Sequence, residues 1–134
     1  MISFRRGTLV WGIMKIIKAD LVPEEPATDS FFTGGKVTRQ LLVGREVGQH
    51  LNMAIVNFSK GARNKFHTHT SDQVLIVTAG KGVVATDREE KIVRPGDIVF
   101  IQAGEKHWHG ATKDSGFSHI YVLSADSETK QLED

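Results

Sequence analysis

Short runs of β-favouring residues follow one another along this chain, each closed by a turn cluster, and no segment supports a long helix. KIIKADLV precedes PEEPATDS, KVTRQLLV precedes GREVG, and QHLNMAIVNF precedes SKGARN. KFHTH, QVLIVTA, GVVATD, KIVRPGD, IVFIQA, HWHGAT and FSHIYVLSA continue the alternation. Many short strands punctuated by Gly and Pro point to an all-β sandwich or barrel. Gly80-Lys81-Gly82 reads as a tight hairpin. Pro95-Gly96 reads as a type II turn, with Pro second and Gly third. Trp108, Phe66 and Phe100 are expected to pack the interior.

A chain of 134 residues has the length of one domain and can bury enough surface to fold without disulfides. No repeat or linker divides it. The barrel is expected over residues 14–125, with residues 1–13 as an N-terminal extension and 126–134 as a polar, solvated tail. Arg5 and Arg6 before Leu9 to Met14 give the start a weakly signal-like look, but the apolar part is short and no small-residue cleavage site follows Lys15. A cytoplasmic location is the resulting expectation.

Net charge is +1, from 17 basic and 16 acidic side chains, with no basic stripe interleaved with aromatics. Nucleic acid is therefore not an expected partner. No apolar stretch is long enough to span a bilayer as a helix, so no membrane role is expected. Absence of cysteine excludes a disulfide, a thiolate-ligated zinc and a thiol nucleophile. There is no Ser-His-Asp set and no phosphate-cradling glycine loop.

Chemistry concentrates in the histidines. Five of the six fall where they can converge on one ion: His67 and His69, then His107 and His109 after a Pro-Gly-Asp turn, and His119 on the next apolar run. An H-x-H pair in a strand places both imidazoles on one face. Gln73 shares the parity of the first pair, although an intervening turn leaves its register open. Trp108 points away from His107 and His109, and His119 shares a face with Tyr121 and Leu123. His50 matches no site position.

The spacing Gly61-x5-His67-x-His69-x3-Gln73-x6-Gly80, followed by Gly96-x5-Gln102-Ala103-Gly104-x2-His107, resembles the two motifs of the cupins. That resemblance implies a single-domain jelly-roll β-barrel, also called a double-stranded β-helix. The chain departs from the pattern at three places: Gln73 stands where Glu is usual, Gln102 where Pro is usual, and Ala111 where Asn is usual. LIVTAGKG, PGDIV, GEKHWHGA and the His119 strand resemble the small bacterial cupins that include manganese-dependent hydroxynitrile lyases, and those found beside carboxymuconolactone decarboxylases. DSFFTGGKV resembles their N-terminal strand lining the cavity.

By that resemblance His67, His69, Gln73 and His107 hold a divalent transition metal, manganese first, with iron, nickel, cobalt or zinc as alternatives. His109 and His119 lie beside the substrate as candidate general bases. A homodimer is also implied. Gln73 leaves the ion its full charge, which acidifies a bound hydroxyl and favours an anionic ligand. The leading expectation is a metal-dependent enzyme acting on a small oxygen-bearing substrate, with hydroxynitrile-lyase-like C–C cleavage as its specific form. A cupin dioxygenase or oxidase and a non-catalytic small-molecule binder are the alternatives.

Overall fold

A computed structural model describes residues 2–5, 8–11, 14–44 and 47–134. Its strands, in chain order, are β1 (Ile2–Arg5), β2 (Thr8–Trp11), β3 (Met14–Ile17), β4 (Glu25–Pro26), β5 (Phe32–Thr33), β6 (Val37–Val43), β7 (Leu51–Phe58) and β8 (Arg63–Asn64). They continue with β9 (His67–His69), β10 (Gln73–Gly80), β11 (Gly82–Ala85), β12 (Glu90–Val93), β13 (Ile98–Ile101), β14 (Trp108–Ala111), β15 (Phe117–Ser124) and β16 (Thr129–Gln131). One six-stranded antiparallel sheet runs β13-β10-β15-β7-β6-β4, and a five-stranded sheet runs β12-β11-β14-β8-β5. β1 and β2, from the expected extension, join β3 in a separate three-stranded sheet. Among the described residues no helix is long and apolar enough to cross a membrane.

Side-chain alternation turns the register of the six-stranded sheet into rows across its inner face. Phe117, Phe58 and Val37 form one row, and Val77, His119, Val56 and Arg39 the next. Leu75, Tyr121 and Ala54 follow, then Gln73, Leu123 and Asn52. The first row belongs to the buried cluster of Val37, Val56, Phe58, Ala62, Val77, Val93, Ala111 and Phe117. Each of its larger apolar side chains contributes about 1.5–3 kcal/mol. The barrel interior is therefore apolar at one end and polar at the other, with His119 and Arg39 at the boundary.

Three expectations are corrected. Gly80-Lys81-Gly82 is not a hairpin, because β10 and β11 lie in different sheets and the segment is a corner between them. Gly80 has φ +73°, and a Cβ there would stand 1.9 Å from the Gly116 carbonyl oxygen. The close approach lets the Lys81 N–H donate to the Gly116 carbonyl at 3.1 Å. Phe100 does not pack the interior; it is 63% exposed on the outer side of the edge strand β13. Nor is the tail free in solvent. β16 pairs antiparallel with β9, Thr129 opposite His69 and Gln131 opposite His67. Its side chains are exposed, which explains the polar sequence, while its backbone satisfies an edge. The Pro95-Gly96 turn is as expected: Gly96 has φ +94°, and the Asp97 N–H donates to the Arg94 carbonyl at 3.0 Å.

Candidate metal centre

Both sheets and the tail converge on the histidines. β9 presents His67 and His69 on one side, with Thr68 between them turned away, and the first residue of β10 supplies Gln73. His107 precedes β14 and is tied to β9 by reciprocal backbone hydrogen bonds with His67, each 3.0 Å. One ring nitrogen from each of His67, His69 and His107 lies within 4.8 Å of the others, a spacing that could hold a metal ion, and all three residues are buried. Gln73 joins them, its Oε1 standing 3.3 Å from His107 Nε2.

Each of the three rings is held by its far nitrogen. His67 Nδ1 lies 2.6 Å from the Lys65 carbonyl and His107 Nδ1 lies 2.8 Å from the Glu105 carbonyl. A carbonyl only accepts, so in both rings Nδ1 carries the hydrogen and Nε2 keeps its lone pair. His69 Nδ1 is 2.8 Å from Thr129 Oγ1, and its Nε2 is buried without a protein partner. An unpaired buried nitrogen beside two free Nε2 lone pairs and an amide oxygen fits a borderline divalent cation. Burial lowers the pKa of these rings first, and repulsion from the neighbouring His107 lowers it further: His67 to about 3 and His69 to about 4. His107 is lowered mainly by burial as well. The rings are therefore neutral, the form that ligates metal.

His109 and His119 form a second layer. Asn64 Oδ1 accepts the His109 backbone N–H at 2.8 Å, so the Asn64 amide nitrogen faces the ring, 3.2 Å from Nε2. Nε2 then accepts, and Nδ1 carries the hydrogen that it donates to His119 Nε2 at 2.9 Å. His119 Nδ1 is buried with no partner. Burial pushes His119 down to about 3 and His109 well below its usual range.

A cavity of about 230 Å³ opens onto this centre. His67, His69, Gln73 and His109 line it, with Phe31 and Phe32 closing one side. His119 stands behind His109 against Phe58 and Phe117, not on the wall. A larger groove of about 460 Å³ touches His107 but no other histidine, so the smaller cavity is the one coupled to the cluster. His50 is exposed and does not line the cavity. Asn64, Thr129 and Arg39 were not singled out by sequence reasoning. Only Arg39 carried a signal, since it shares strand parity with Val37 in KVTRQLLV.

Residues 54–123 match the Cupin domain family. The chain belongs to the cupins. This cupin is 44% identical over 72 residues to an (R)-mandelonitrile lyase of Granulicella tundricola, covering 52% of the chain and 53% of the lyase. It is 31% identical over 92 residues to an (S)-ureidoglycine aminohydrolase of Escherichia coli, covering 64% of the chain and 34% of that protein. The chain thus spans about half or less of these curated relatives. A crystal structure of a cupin-like protein from Thermotoga maritima is similar to it with TM-score 0.77 and 33% identity, over 82% of this chain and 85% of that one.

Proposed function

We propose that this cupin is an enzyme that holds a divalent transition metal, manganese first, through His67, His69, Gln73 and His107, and cleaves a C–C bond beside the hydroxyl of a small substrate. The observation that carries this reading is the anchoring of Nδ1 in all three histidines, which leaves their Nε2 atoms directed at one another. Similarity to the (R)-mandelonitrile lyase supports the cyanohydrin form of the reaction. When bound, the ion would supply positive charge that acidifies a hydroxyl lying against it.

The chain's own residues supply the rest. Phe31, Phe32, Val56 and Leu123 give the cavity an apolar side against which the carbon skeleton of a substrate can pack. His109, neutral and on the wall, takes the hydroxyl proton on Nε2 in exchange for the hydrogen bond from the Asn64 amide, and its Nδ1–H, donated to His119, holds the ring in orientation. As the O–H electron pair becomes the second bond of the carbonyl, the C–CN bond breaks and its pair leaves as cyanide. The proton on His109 returns to cyanide, so an aldehyde and hydrogen cyanide depart and the base is restored. Release of benzaldehyde from mandelonitrile tests the reading. Manganese-loaded protein should exceed metal-stripped protein, and His109→Ala should lower the rate by roughly 10²-fold or more at unchanged metal content. Equal rates with and without metal would remove the lyase form.

A further inference from the structure

Farther along the six-stranded sheet from Gln73, the wall of the same cavity is built of hydrogen-bond donors. Arg39 sits on β6, on the inner face with buried Val37, in the row that runs through Val56 to His119. Two strand spacings, roughly 10 Å of sheet, separate Arg39 from His119 at the backbone. Tyr121 on β15 and Asn52 on β7 stand in the next two rows of the inner face, and all three side chains line the cavity. The Tyr121 hydroxyl lies 3.4 Å from Asn52 Oδ1, which leaves the Asn52 amide hydrogens facing the cavity without a protein acceptor among the described residues.

What this end lacks is a negative charge. Arg39 Nε is buried and has no hydrogen-bond partner, and no carboxylate of the described residues forms an ion pair with the guanidinium. No Asp or Glu lines the cavity, and Gln73 brings an amide where a carboxylate would have brought negative charge. A guanidinium is a permanent cation whose planar fork matches a carboxylate at two points. Arg39 is half-buried with its Nε wholly inside, and although Glu25 and Asp29 share an outer groove with it, neither pairs with it, so a negative charge brought by a ligand would complement it from the cavity side.

We propose that Arg39, with Asn52 and Tyr121, forms a carboxylate-binding subsite, so that the natural substrate is a small organic acid. Its other end carries the hydroxyl or carbonyl oxygen that meets the histidine cluster, and this half of the assignment rests on the metal-site reading above. Neutral cyanohydrins fill the cavity but leave Arg39 unpaired.

Calorimetric titration with mandelate and mandelamide, which share a skeleton and differ in charge, tests the subsite. Manganese-loaded parent protein should bind mandelate roughly tenfold more tightly, as expected for one charge-assisted contact. Arg39→Gln should abolish that preference while leaving the mandelamide affinity and the melting temperature unchanged. Asn52→Asp, which adds a carboxylate to the wall of the same cavity, should abolish it as well and serves if Arg39→Gln does not fold. Equal affinities in the parent, or an undiminished preference in either variant, would overturn the subsite. Repeating the titrations on metal-stripped protein separates the two readings. A preference that survives stripping and vanishes in Arg39→Gln upholds the subsite whether or not metal binds. One that vanishes on stripping and persists in Arg39→Gln places the carboxylate on the ion, overturning the subsite and upholding the metal site.

Discussion

At the scale of single residues, the centre depends as much on what holds the imidazoles as on the imidazoles themselves. Two of the three anchors are backbone carbonyls, which no substitution deletes, but the third is the Thr129 hydroxyl. Thr129→Val removes that acceptor with little change of shape. It should weaken manganese retention about 10-fold against a competing chelator, the lower end of what a supporting hydrogen bond to a ligand is worth. Unchanged retention would mean that His69 does not ligate. The histidine spacing and the Gln73 parity were legible in the sequence because strand alternation is strict. Thr129 was not, since its link to His69 spans 60 positions and only the folded register creates it.

At the scale of elements, the strand run itself was legible: β6, β7, β10, β13, β14 and β15 lie where the apolar runs stand between turn clusters. Pairing was not, because which strand neighbours which depends on long-range packing. The Gly80-Lys81-Gly82 corner shows the difference, having hairpin composition yet joining two sheets. The tail shows it again. A polar, exposed sequence gives no apolar period, but β16 covers the open edge of β9 and Glu133 receives both Arg63 and the Phe66 N–H. Removing residues 126–134 should therefore lower the melting temperature and release metal together. Loss of neither would show that β9 holds its place without β16. Gly110 locks the other side. A Cβ there would lie 2.5 Å from the Ala62 carbonyl oxygen, so Gly110→Ala should destabilise the fold by about 1–3 kcal/mol, read by urea denaturation.

At the scale of the whole molecule, a barrel with buried neutral histidines is sensitive to acid. The folded pKa of His67 and His119 is about 3 and that of His69 about 4, below the ordinary 6.5. Between those values the unfolded chain binds more protons than the folded one, so stability is fully present above pH 6.5 and is lost as pH falls. In metal-stripped protein the urea midpoint should fall steadily from pH 7 to pH 5, as the unfolding free energy drops by up to about 1.4 kcal/mol per pH unit for each histidine kept neutral once pH is below 6.5. A flat profile would contradict the burial account. Bound metal should raise stability by mass action, since it meets these rings only in the fold. The central claim is that four side chains from two strands and a loop hold one ion. Metal analysis after stripping, manganese reloading and desalting tests it most directly, comparing the parent with Gln73→Ala and a His67→Ala, His107→Ala double variant. The account predicts one manganese per chain in the parent, a reduced content in Gln73→Ala and none in the double variant. A metal-free parent, or a double variant that retains its manganese, would contradict it.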